Sequence, residues 1–270
     1  MDLSNLPQSE QIEFRLGKDH YPDLFFKPGI PDAWEIETVC KYFLQDIAWT
    51  DCKNRTVVDD GIEYQFNNLG YRSHYDYHIE ELKSKKNILC LGDSDVFAPY
   101  KKYESIWTSL LQDRMPQHNI INMGMPAWSS ETIARSAVKT IKALGSSLDY
   151  VCVIWPADDR REVVTKNYKK ITSILAPTDV PFEDFYDQVD WVSNNYIHNK
   201  NRDLIRFACE ANGINFIDLL IVTVDKSINF DGERFGKGVF GEQTHVALCN
   251  WFYRKIHGQP SLYEELKNKR

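Results

Sequence analysis

The sequence is poor in what would tie it to a membrane, a nucleic acid or an oxidising compartment. No run of about 18 apolar residues occurs, so no membrane-spanning helix is expected. The first residues, Met1 to Asn5, lack the basic and apolar regions of a signal peptide, and a cytoplasmic protein is expected. Positive charge is in deficit: 32 Lys and Arg against 39 Asp and Glu give a formal net charge of -7. Phosphate backbones are bound by clustered Lys and Arg, so nucleic acid is not an expected partner. Cysteine pairs at metal spacing are missing too. Cys40, Cys52, Cys90, Cys152, Cys209 and Cys249 are scattered, with no CxxC and no Cys/His pair fit for zinc. They read as reduced structural thiols, and neither a metal nor a cofactor is expected. Internal repeats and low-complexity tracts are also lacking.

What is present is an ordinary globular composition. The 270 residues are 43% hydrophobic and 26% charged, enough for one large domain or for a core with an appendage. Aromatic residues reach 13%, with seven Trp and fourteen Tyr. A large core and a carbohydrate-facing surface would each use them. Residues 1–30 look irregular, with His20, Pro22, Phe25 and Phe26 as packing anchors. Pro31-Asp32 opens a helical pattern carrying Ile36, Val39, Cys40, Phe43, Leu44 and Ile47. A polar stretch over 51–61 precedes an alternating segment, Ile62 to Phe66, that suits a strand.

From Asn87 the rhythm becomes strand, helix, strand, helix. Short apolar runs at 88–91, 120–121, 150–155 and 214–218 alternate with helical patterns over about 105–115, 129–144, 189–211 and 242–256. That alternation predicts an α/β fold with a central parallel sheet and helices on both faces. The chain divides into an N-terminal appendage over 1–86 and an α/β domain over 87–270. Residues 159–190 form an insertion longer than a strand-to-helix loop needs, carrying Pro177, Pro181, Phe182, Phe185 and Tyr186. It reads equally as a cap over the cleft or as a helical insertion on the sheet edge.

In an open parallel sheet, ligands sit beyond the carboxyl ends of the strands. Gly92-Asp93-Ser94 falls there, after the first core strand. Gly permits a sharp turn, Asp braces it, and Ser offers a hydroxyl close to amides able to hold an oxyanion. A plain strand-to-helix turn would look the same.

Three motifs, in order, carry a family resemblance. Ile88-Leu89-Cys90-Leu91-Gly92-Asp93-Ser94 resembles the first block of the SGNH/GDSL hydrolase superfamily. Ile120-Ile121-Asn122-Met123-Gly124-Met125-Pro126-Ala127 resembles the second. Asn67-Asn68-Leu69-Gly70-Tyr71-Arg72 is similar to a lead-in found in one branch of those proteins. The resemblance implies a flavodoxin-like three-layer sandwich, with Ser94 as nucleophile and Asp93 beside it. It also implies oxyanion donors from the Ser94 amide, from the second block and from a third-block Asn. Gly124 and Ala127 are the second-block candidates, and counting from Asn122 selects Ala127. The third-block position falls on Asp158, which as a carboxylate would repel an oxyanion, or which pairs with Arg160 or Arg161 on a solvated loop. The last block, Asp-x-x-His, has two partial matches. Asp231-Gly232-Glu233-Arg234 puts Arg234 in the His position, whereas Glu242-Gln243-Thr244-His245 keeps a carboxylate and a His. His245 as base, oriented by Glu242 or Asp231, is one reading; a helix-terminal histidine without catalytic work is the other. His118 and His198 have no compelling partner in the sequence.

Two functions follow. One is a serine hydrolase or acyl transferase acting on a small-molecule or carbohydrate ester. The other is a catalytically silent relative that binds a sugar or a partner protein in the same cleft, since three of the four blocks depart from pattern. Trp128, Trp155, Trp191 and Tyr196 are candidate stacking faces for sugar rings.

Overall fold

The computed structural model describes residues 6–16, 54–59, 61–126, 128–156, 160–164, 170–174, 191–220, 240–262 and 265. In chain order the elements are α1 (Gln8–Leu16), β1 (Thr56–Asp59), β2 (Ile62–Gln65), α2 (Ile79–Lys83) and β3 (Lys86–Gly92). They continue with α3 (Ser94–Phe97), α4 (Trp107–Arg114), β4 (His118–Gly124), α5 (Ser130–Leu144) and β5 (Leu148–Trp155). The chain closes with β6 (Arg160–Val164), β7 (Lys170–Ile174), α6 (Trp191–Ala211), β8 (Asn215–Leu220) and α7 (Glu242–Ile256).

Strands β4, β3, β5 and β8 lie in that order in one sheet, and every pairing is parallel. Counted from the first core strand, the order is 2-1-3-4, that of the flavodoxin-like doubly wound class. Both faces of the sheet are covered, which is why β3 and β5 are continuous apolar runs rather than alternating ones. Ile88, Cys90, Cys152 and Ile154 meet Trp107 and Leu111 of α4 and Leu248 and Phe252 of α7 on one face. Leu89, Leu91, Val151 and Val153 meet α5 through Ile133 and Ala137, and α6 through Ile205 and Cys209, on the other. The fold class implied by the SGNH/GDSL resemblance is thus the one present. Cys90, Cys152, Cys209 and Cys249 are buried free thiols. Among the described residues no helix is long and apolar enough to cross a membrane.

Three regions hold elements that the sequence reading does not expect. The irregular N-terminus contains α1, which docks on α7 through an ion pair between Glu13 and Arg254 (2.8 Å). The polar stretch over 51–61 contains β1, paired antiparallel with β2. Asp60-Gly61 is a two-residue hairpin signal that the polar composition masked, and Gly61 supplies the positive φ of +75° that such a turn needs. The insertion contains an antiparallel pair, β6 with β7, and its residues 165–169 and 175–190, on which the cap and helix readings turn, lie outside the described residues. The helix expected from Pro31 and the packing anchors His20, Pro22, Phe25 and Phe26 lie outside the described residues.

The lead-in motif folds as a tight turn that positions Tyr77 on the sheet edge. Asn67 Oδ1 accepts the amides of Leu69 and Tyr71 (both 3.0 Å), and Gly70 takes a φ of +86° that a side chain would strain. Asn68 holds Tyr77 from both sides: its Oδ1 accepts the Tyr77 amide (2.9 Å) and its Nδ2 donates to the Tyr77 carbonyl (3.1 Å). Tyr77 is thereby aimed at the outer edge of β4. Its hydroxyl accepts the Asn122 N–H (2.9 Å) and donates to the Asn122 carbonyl (3.4 Å). An edge strand otherwise offers such groups to another chain.

Candidate active site

Strand β3 ends at Gly92, Asp93 caps the next helix, and Ser94 is the first residue of α3. The Asp93 carboxylate accepts the Asp95 amide (3.1 Å), which braces the turn. The strand that follows β3 in the chain, β4, pairs on one side of it and the next, β5, on the other, so Ser94 stands at the point where strand order reverses. The short helix lies flat on two glycines that face each other in register, Gly92 and Gly124. A Cβ on Gly92 would stand 2.3 Å from Val96 Cγ2 and 2.8 Å from the Ile154 carbonyl oxygen. A Cβ on Gly124 would stand 2.4 Å from the Phe97 amide nitrogen. Absence of both side chains is what lets α3 and its serine come down onto the strand ends.

Ser94 is 9% exposed. Among the described residues neither its N–H nor its Oγ makes a hydrogen bond. The N–H belongs to the first turn of α3, where the helix supplies no carbonyl for it. It is the type of donor that an oxyanion needs.

Gly124 does not offer a second such donor, because its N–H is already given to Asn122 Oδ1 (3.0 Å). Its place is explained by the approach of α3 instead. Asn122, to which the second block gives no role of its own, is 1% exposed and also donates through Nδ2 to Thr108 Oγ1 (3.3 Å). It fixes the turn after β4. Ala127, Asp158 and Asp231 lie outside the described residues.

Among the described residues no hydrogen bond joins His245 or Glu242 to Ser94, the contact that the Asp-x-x-His reading expects. His245 sits in the first turn of α7, 1% exposed, and its Nδ1 accepts the Trp107 backbone N–H (3.4 Å) at the start of α4. In a neutral ring the proton then resides on Nε2. A triad base needs the opposite tautomer, with Nδ1–H held by a carboxylate and the Nε2 lone pair toward the serine. Among the described residues neither Ser94 nor Glu242 is hydrogen-bonded to this ring. Glu242 is exposed one helical turn earlier, at a helix N-terminus where a carboxylate is favourable in its own right.

The proposed stacking faces fare differently from one another. Trp155 is 0% exposed, and its Nε1 donates to Asp218 (3.0 Å), which also pairs with Arg202, so it is a core residue. His198 lies edge-on against it, with centroids 4.9 Å apart. Trp128 is half-buried and edge-on to Tyr71 (6.1 Å), whose phenol is pushed up to about 12 by burial. Tyr196 is exposed on α6, and the Trp191 side chain lies outside the description. His118 Nε2 meets Asp149 Oδ2 (3.1 Å) at the amino ends of the strands, away from Ser94.

Arg72, seen in the sequence only as the last residue of the lead-in, lies against α3. Its guanidinium donates to the carbonyls of Phe97 (3.0 Å), Ala98 and Lys101.

Fold and site together define a doubly wound α/β protein with a serine at its switch point. Solved structures similar to this chain include a member of the lipolytic protein G-D-S-L family from Veillonella parvula, at 13% identity over 64% of this chain and 97% of that one, with a TM-score of 0.35. A carbohydrate acetylesterase family member from Sinorhizobium meliloti shows 15% identity over 64% and 99%, with a TM-score of 0.33. The lipase/acylhydrolase from Enterococcus faecalis shows 14% over 65% and 98%, with a TM-score of 0.37. No protein-family model matches the sequence, and no curated protein matches it.

Proposed function

We propose that this chain is a serine ester hydrolase or acyl transferase of SGNH/GDSL type, acting on an O-acyl ester of a small molecule or carbohydrate. The observation that carries the proposal is Ser94 itself, at the switch point, at the start of α3, with its N–H uncommitted among the described residues. Ser94 Oγ attacks the ester carbonyl and its proton passes to a base. The carbonyl oxygen becomes an oxyanion held by the Ser94 N–H and by the amide assigned to Ala127. Collapse expels the alcohol, which takes up that proton, and water or a second alcohol then removes the acyl group from Ser94.

The base is where the alternative enters. The bond from Trp107 to His245 favours a silent relative that uses the same cleft for binding. For His245 to act, that bond has to be exchanged so that the ring proton moves to Nδ1, with Glu242 or Asp231 as orienter. Labelling with a fluorophosphonate probe and turnover of short-chain aryl esters test the proposal. The wild type is expected to react and Ser94→Ala to be inert; a wild type inert to probe and to esters of varied acyl length leaves the silent reading. Two substitutions then separate the roles of His245. Asn keeps an acceptor for the Trp107 N–H and Phe does not. A catalytic His245 loses roughly 10²–10⁴-fold in rate with either change, whereas a tie between helices is preserved by Asn.

A further inference from the structure

We propose that Arg72 is the positioning residue of the Ser94 turn, fixing the serine by gripping the left-handed loop that ends α3. The inference rests on Ser94 being the nucleophile. Helix α3 has four residues and stops because Ala98 takes a φ of 58°, and its N–H closes back on the Ser94 carbonyl (2.7 Å). Tyr100 follows with a φ of 60°. A side-chain-bearing residue in this region is strained and persists only where its surroundings impose it. Two such residues within three positions leave the carbonyls of Phe97, Ala98 and Lys101 turned to one point, where no regular structure can satisfy them.

Arg72 occupies that point. It is 1% exposed, it donates to all three carbonyls, and its Cζ lies 4.6 Å from the Tyr64 ring and 5.5 Å from that of Phe97. Tyr64 completes the grip, since its hydroxyl accepts the Tyr100 N–H (2.7 Å). Among the described residues no carboxylate forms an ion pair with this guanidinium. Burying a charge without a counter-charge is unfavourable, and burial holds the group down to about 10 from its usual range. An apolar residue would fill the space without that cost but could not bind three carbonyls. A lysine carries the charge without the planar fork. The Ser94 carbonyl lies one hydrogen bond from Ala98, so movement of the loop is movement of the serine.

The test compares the full-length wild type with Arg72→Lys and Tyr64→Phe, the second loosening the same loop while leaving Arg72 in place. Hydrogen exchange at the Ala98 and Tyr100 amides reads the loop. Saturation kinetics of fluorophosphonate labelling separate probe binding from the bond-forming step at Ser94. The expected result is faster exchange at both amides with unchanged protection in β3. The labelling step should be slowed by up to roughly 10²-fold in Arg72→Lys, with a smaller effect in Tyr64→Phe and similar half-saturation in all three. Unchanged loop exchange in Arg72→Lys, or a labelling step equal to wild type, overturns the proposal. Should Arg72→Lys fail to fold, Tyr64→Phe with wild-type exchange and labelling overturns it as well. A wild type inert to the probe removes the nucleophile assignment and the positioning role with it, whereas a reactive wild type with an equally reactive variant removes the positioning role alone.

Discussion

Gly124 and Val96 lie so close that a Cβ on residue 124 would stand 2.6 Å from the Val96 Cβ. The neighbouring obstacles are the Val96 carbonyl carbon and the Phe97 amide nitrogen, both backbone, so no rotamer change relieves the clash. Gly124→Ala therefore has to lift α3 from the strand ends. Overpacking of this kind costs about 1–3 kcal/mol. A lower urea midpoint is expected, together with loss of any Ser94 reactivity. Wild-type values of both would mean that α3 has slack the contacts do not suggest.

Tyr77→Phe isolates the contribution of the hydroxyl that covers the β4 edge. The Asn122 N–H is buried, and its acceptor would be gone. A buried donor left without a partner costs about 1–3 kcal/mol. Equilibrium urea unfolding should show that loss with the slope unchanged. A destabilisation below a few tenths would show that another acceptor replaces the phenol.

Glu13 and Asp149 should tilt the stability profile in opposite directions. Burial raises the Glu13 carboxyl above its ordinary value, against the pull of Arg254 and Asn250. A raised folded value means that its favourable contribution is present below the unfolded value, about 4.3, and is lost as pH rises through the folded one. Glu13→Gln imitates the protonated form. At pH 7 it should be at least as stable as wild type, with the difference vanishing in acid. Arg254→Met should instead destabilise, by on the order of 3 kcal/mol, because it strands a buried carboxylate. A Glu13→Gln protein that melts well below wild type at pH 7 would reverse this assignment.

Asp149 is the opposite case. Burial alone would raise it, but Lys86 (2.6 Å) and His118 (3.1 Å) outweigh that and hold it below the usual aspartate value. Its contribution is complete above about 3.9 and is lost as pH falls through the lower folded value. Asp149→Asn should reduce stability at neutral pH and flatten the acid limb of the profile. Parallel curves for variant and wild type below pH 5 would argue against it.

The strand positions, the helices from Trp107 onward and the Gly92-Asp93-Ser94 turn were legible in the sequence because each is written within a dozen residues. Apolar runs mark strands buried on both faces, helical spacing marks the covering helices, and a small residue marks a close approach. The hairpin of β1 and β2 has its signal in Asp60-Gly61, which a polar composition over 51–61 obscures. The partners across the fold were not legible. That Trp107 gives its N–H to the Nδ1 of His245, that the Tyr77 hydroxyl takes the amide of Asn122, and that Arg72 gathers three carbonyls 25 to 29 residues away all depend on which surfaces the chain brings together. Periodicity records how deeply a side chain is buried. Only packing decides what it meets there, because a buried polar atom bonds to whichever group the surrounding backbone presents.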